Sequence, residues 1–267
     1  MDEGEENRLE SLLRLAIGEP AHRPEFYRVL LDTEVFVLGH TGNEDGAEAG
    51  MQSLAAGDRI AIQNWQRQDG SPIIPFFSSL AMLQAAIEDE QPYLVLPVKA
   101  LFEMTRGATL VLNPISEFPK EFVSDEIAQL LENGPSTQPE TRVVEEETHV
   151  LLGQPGEYPA KMVDSLIQFF AKHAEVNAAW LALMHDTSVD DKPHLVVGIE
   201  TDGEIEPVIR EAGAVVMDTA PEGEPVDMYH VREGDSGLSE YFLKEVKPFY
   251  ERSWGRRLGL APEPGQA

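Results

Sequence analysis

Apolar residues fall along this chain in short periodic runs broken by polar turns. Leu9, Leu12, Leu13 and Ala16 recur at helical spacing, so a first amphipathic helix is predicted, with Gly18 as its C′ residue and Pro20 blocking continuation. Pro24 opens a second helix carrying Phe26, Tyr27, Leu30 and Leu31, because a first-turn proline lacks only an N–H that would be unpaired there. Glu34 to Leu38 is β-branched and aromatic, hence a strand. Arg59 to Trp65 alternates apolar and polar, and Asp69-Gly70 turns it back into a partner strand, Ile73 to Phe77. Pro75 cannot donate to a ladder, so that strand is expected at an edge or interrupted there. Ser78 or Ser79 caps a helix with Leu80, Leu83 and Ile87 inside. Tyr93 to Val98 reads as a strand and Lys99 to Met104 as a short helix. Ala108 to Leu112 is a strand that Asn113-Pro114 ends, since the residue before proline is pushed towards extended geometry. Ser124 caps a helix with Ile127, Leu130 and Leu131 inside, and Asn133-Gly134 stops it.

The stretch from Gly134 to Glu147 is polar, charged and twice interrupted by proline, as a linker between domains would be. Beyond it the pattern resumes. His149 to Pro155 predicts a strand, and Pro159 to His173 the clearest helix, with Met162, Val163, Leu166, Ile167, Phe169 and Phe170 on a broad apolar face. Asn177 to Met184 and His194 to Ile199 read as strands, Ile205 to Ala212 as a helix closed by Gly213, and Ala214 to Met217 as another strand. Val226 to Val231 adds a strand. Ser236 or Ser239 caps a last helix bearing Leu238, Tyr241, Phe242 and Val246. The fold class is α/β in the α+β sense: two mixed-sheet domains with helices packed on the sheets. The expected boundaries are 1–133 and 148–258, joined by a linker at 134–147 and followed by a disordered tail at 259–267.

With 267 residues and 42% hydrophobic content, the chain can bury two cores without staples. It has no cysteine, which excludes disulfides, thiolate metal sites and a cysteine nucleophile. The acidic start lacks an apolar signal region, and no apolar run approaches about 18 residues, so the cytoplasm is the expected compartment. The formal charge of −28 comes from 48 acidic against 20 basic residues. Binding to nucleic acid or to an anionic membrane needs clustered cations, so neither is expected. A protein partner is expected, and a basic one would be steered by this field.

Candidate chemistry is sparse. Gly234-Asp235-Ser236-Gly237 copies the nucleophile loop of trypsin-like proteases, yet neither His173 nor His185 stands in that family's histidine context, so a turn and helix cap are preferred. His185, Asp186, Asp190, Asp191 and His194 could supply metal ligands; a polar strand connection explains the same letters. Thr41, Asn43, Asp45 and Gly46 approach an EF-hand loop, but Thr41 and Gln52 stand where carboxylates are needed. Glu145-Glu146-Glu147 is a solvated charge run. No nucleotide-loop or zinc-protease motif occurs, and no catalytic residue, metal or cofactor is assigned. Trp180 reads as core. Trp65, facing a turn, and Trp254, within a basic patch of Arg252, Arg256 and Arg257, are candidate partner contacts.

Three stretches carry a resemblance: Ile73 to Leu83 (IIPFFSSLAML), Pro92 to Met104 (PYLVLPVKALFEM) and Leu110 to Pro114 (LVLNP). With them the chain resembles the enhanced serine sensitivity (SseB) family of bacteria. The family's P-x-F-T-S phrase reads Pro75-Phe76-Phe77-Ser78-Ser79 here, with Ser78 keeping the hydroxyl of threonine. The second half, through the GQPGEYPAKMVDSLIQFF and HLVVGIE stretches, resembles the family's C-terminal domain. The resemblance implies a two-domain cytoplasmic α/β protein with a loose link to serine tolerance, and it implies no reaction. Pro75, Phe77, Ser78, Ser79, Asn113 and Pro114 are its motif residues, and their chemistry is that of scaffold. Three functions follow as expectations: a non-enzymatic interaction or regulatory protein, an immunity-type protein neutralising a basic toxin, or a sensor of an amino-acid-like metabolite.

Overall fold

The computed structural model describes residues 7–42, 50–51, 60–134, 150–186, 192–221 and 224–252. The chain divides into two compact units, Met1–Pro135 and Ser136–Ala267. Each has a mixed sheet with helices on it.

In the first unit, helices α1 (Arg8–Gly18) and α2 (Arg23–Leu31) precede strand β1 (Glu34–Thr41). Strands β2 (Gly50–Met51), β3 (Ile60–Ile62), β4 (Trp65–Gln66) and β5 (Pro72–Phe77) follow, then α3 (Leu80–Ala86), β6 (Pro92–Pro97), α4 (Val98–Met104), β7 (Leu110–Leu112), β8 (Lys120–Phe122) and α5 (Ser124–Asn133). The strand order is β2-β6-β1-β5-β7-β8, with β3 on β1 and β4 on β5. Alternate residues point to opposite faces. One parity, including Val35, Val37, Ile74, Phe76, Leu94, Leu96, Leu110 and Leu112, packs with the apolar stripes of α1, α2, α4 and α5. Phe76, Phe102 and Phe122 meet there, with ring centroids 5.5 to 6.1 Å apart. The other parity holds a smaller core of Leu38, Phe77 and Leu83, with Trp65 against it.

The strand carrying Pro75 is interrupted at Pro75, the second of the two expected alternatives, and the strand expected at Arg59 to Trp65 is divided. Pro75 lies in an interior strand, not at an edge: β5 pairs with β7 on one side and with β4 and then β1 on the other. The N–H of Ile74 donates to Thr109 O and Phe76 O accepts from Asn113 N, so both face β7. The missing donor of Pro75 therefore faces the other side, at the break between the β4 pairing (residues 72 and 73) and the β1 pairing (residues 76 and 77). Likewise Arg59 to Trp65 is not one hairpin arm. Ile60–Ile62 pairs with β1, and only Trp65–Gln66 returns on β5.

In the second unit, β9 (Val150–Gly153), α6 (Ala160–Phe170), β10 (Val176–Asp186), β11 (His194–Thr201), α7 (Ile205–Thr219), β12 (Val226–His230), α8 (Leu238–Glu245) and β13 (Tyr250–Glu251) follow one another. The sheet runs β12-β11-β10-β13, with β9 on β10. β11 and β12 are parallel, and the crossover that parallel strands require is α7. Ala178, Trp180, Ala182, Val196 and Val231 pack against Phe242 and Val246 at α8. Ala179, Leu181, Leu195, Val197 and Ile199, of the opposite parity, are buried too, while α6 and α7 pack on each other.

The expected strand Ala214 to Met217 is helical: α7 runs on through Gly213 to Thr219. Its buried residues Ile205, Val208, Ala212, Val215, Val216 and Thr219 keep helical spacing throughout. A four-residue apolar run carries no period of its own, so tertiary packing decides it. Capping also differs at three helices. Ser124 is the first residue of α5, after an uncapped Val123. Gly237, with φ 77°, precedes α8, and neither Ser236 nor Ser239 caps it. Gly18 is the last residue of α1 and not its C′. The linker from residue 135 onward and the tail lie outside the described residues.

Candidate functional site

The motif residues of the first unit converge where parallel strands β5 and β7 end. In open sheets such carboxyl ends are where ligands are commonly held. Phe77, the last residue of β5, is fully buried and meets Trp65 edge-on, with centroids 6.2 Å apart. Ser78 and Asn113 follow the two strands, and both are buried. Asn113 has φ 48°, a left-handed conformation that asparagine tolerates better than most residues. Its Oδ1 accepts from Ser78 N at 3.0 Å, and its Nδ2 donates to Ser78 Oγ at 2.8 Å. Its carbonyl accepts from Ser116 N and Oγ, closing the turn that Pro114 begins.

The network reaches the first helix. Ser78 Oγ donates to Glu10 Oε1, and Ser79 Oγ donates to the same oxygen at 3.1 Å. Asn7 caps α1 through Glu10 N at 2.9 Å and donates from Nδ2 to Ser78 O at 3.1 Å. Ser79 also caps α3 by accepting from Met82 N at 3.2 Å. Each hydroxyl is thus engaged by a carboxylate, with no histidine among these partners to take a proton. The arrangement locks α1, α3 and the β7 turn together. Asn7 and Glu10 went unnoticed in the sequence, although an N-cap residue followed three positions later by Glu is the pattern of a capping box.

Trp65 is half-buried against the smaller core. Trp254 lies outside the described residues, with Arg256 and Arg257. Trp180 is buried, as expected of core.

The second unit has an open cleft of about 640 Å³ lined by Glu200, Glu233, Gly234, Asp235, Ser236, Glu240, Leu243 and Lys244. The Gly-Asp-Ser-Gly loop forms one wall, with φ 90° at Gly234 and 77° at Gly237, which is why glycine stands at both positions. None of these lining residues is a histidine. Burial, then the charges of Asp202 and Glu233, push the Glu200 carboxyl above its ordinary value. Lys244 is drawn off to Glu240 at 2.6 Å.

The described members of the candidate metal-ligand set do not form a ligand cluster. His185 and Asp186 are neighbours in β10 and point to opposite faces. His194 is buried in β11, 2.9 Å from Asp227. Asp190 and Asp191 lie outside the described residues, as do Asn43, Asp45 and Gly46 of the loop after Thr41. Among the described residues no group of three or more ligating side chains could hold a metal, and no helix is long and apolar enough to cross a membrane.

Fold and site define a two-unit α/β protein whose motif residues bind one another. Comparison with known proteins places it further. The SseB protein N-terminal domain matches residues 9–129 and the SseB protein C-terminal domain residues 144–252. Protein SseB of Escherichia coli (strain K12) and Protein SseB of Shigella flexneri are each 39% identical over 249 residues, which is 93% of this chain and 93% of theirs. The chain belongs to the SseB family. No solved structure matches it.

Proposed function

We propose that this chain is a cytoplasmic, non-enzymatic protein-binding or regulatory member of the SseB family, with a basic protein as its partner. The charge of −28 carries this reading. Such a field accelerates encounter with a cationic surface and disfavours acidic competitors. The bonds of Ser78 to Asn113, and of Ser78 and Ser79 to Glu10, support a scaffold role for the family motif. The cysteine-free composition suits a reducing compartment. The link to serine tolerance belongs to this proposal as a phenotype downstream of the partner. Neutralising a basic toxin is the same reading with a narrower partner.

Affinity purification of the full chain tests it. At low ionic strength a basic protein co-purifies; at about 1 M salt, where the Debye length shrinks to roughly 3 Å, it is released. Recovery of no protein at low salt, or of one indifferent to salt, overturns the reading.

A further inference from the structure

We propose that the outer edge of β9 is a docking strand, taking an extended segment of a basic protein by backbone pairing. This rests on the protein-binding reading and names its surface. Strand β9 pairs with β10 on one side, in antiparallel register from Val150↔Asp186 to Gly153↔Leu183. Among the described residues no strand pairs with its other side. A free edge offers a row of unpaired N–H and C=O groups, which proteins commonly shield with charge.

The first unit shows such shielding. Its edge strand β8 carries Lys120 and Glu121; Lys120 pairs with Glu126 at 2.8 Å and Glu121 with Arg67 at 2.6 Å. Strand β9 has none. Its sequence is Val-Leu-Leu-Gly, with Leu151 62% and Val150 36% exposed. An uncharged apolar edge is a template for strand addition, with backbone bonds giving affinity and side chains giving choice.

The neighbouring charge selects the occupant. Among the described residues that follow β9, Glu157 comes before the first cation, Lys161. Asp186 sits opposite Val150 across the ladder. A second copy of this chain would bring like charge to this edge, since each copy carries −28. A partner strand with apolar residues towards Leu151 and flanking Lys or Arg complements both features.

A photo-crosslinking amino acid placed at Leu151 of the full chain, in cells of the native type, tests this. Parallel placements go at Ile115 and Met217, which are 54% and 71% exposed elsewhere on the surface. The expected result is an adduct at position 151 that mass spectrometry maps to an extended segment of a basic protein. High salt abolishes that adduct, and so does Val150→Pro, whose thermal midpoint is checked for folding. Basic-protein adducts only at 115 or 217 overturn the docking edge and leave the protein-binding reading standing. An adduct at 151 to a second copy, to this chain's own residues or to an acidic protein also overturns it. No adduct at any of the three positions overturns both.

Discussion

Asn113 shows how much one side chain can hold. It occupies a left-handed backbone conformation, is buried, and closes bonds to both backbone and hydroxyl of Ser78. Asn113→Ala loses the local hydrogen bonding that eases asparagine in that conformation, at up to about 1 kcal/mol of the left-handed penalty. It also leaves the buried Ser78 N–H without its acceptor, at about 1–3 kcal/mol. The expected loss is about 1–4 kcal/mol, read by urea unfolding followed at Trp65. Asn113→Gly removes the bonds but relaxes the backbone, so it should cost less than Asn113→Ala. The reverse order would show that conformation is not the issue. The residue pair was visible in the sequence as Asn113-Pro114, but only as a strand end. Its bond to Ser78 spans 35 positions and that of Ser78 to Glu10 spans 68, and no local pattern encodes such distances.

Elements with a strong period were legible, and short ones were not. Helix α6, with six buried residues on one face, matches its expected position to within a few residues. The two-residue strands β2 and β13, and β8 after the Asn113 turn, carry no period and were missed. Strand β11 illustrates a further constraint. Gly198 stands opposite Trp180, and a Cβ there would lie 2.8 Å from Val231 Cγ2 and 2.9 Å from the Phe242 ring. Glycine at this point lets α8 lie close on the sheet. Gly198→Ala should cost about 1–3 kcal/mol by overpacking, seen as a lower denaturation midpoint by Trp180 fluorescence. A shortened Phe242 side chain, Phe242→Leu, should recover part of that loss in the double variant. Independent, additive losses would refute the contact.

At the scale of the molecule, each compact unit has its own apolar core among the described residues. Phe76 is fully buried in the first, against Phe102 and Phe122. Phe76→Ala should destabilise that unit by about 3–5 kcal/mol. Single-tryptophan versions separate the responses: Trp65 reports the first unit and Trp180 the second. The Trp65 transition should shift while the Trp180 transition holds; equal shifts would mean the two units unfold as one. What the amino-acid sequence determined by itself was compositional and periodic: the α/β class, the family, the negative field, the absence of thiol chemistry and the long amphipathic helices. The tertiary structure alone decided which strands are neighbours. It placed Pro75 inside a sheet, at a break between partners, and made Ala214 to Met217 the end of a helix. It joined the Ser-Ser and Asn-Pro motifs through Ser78 and Asn113, tied both serines to Glu10, and left the described β9 residues on an edge of the sheet. The reason is physical: period and composition are local quantities, whereas pairing, burial and exposure depend on residues that only folding brings together.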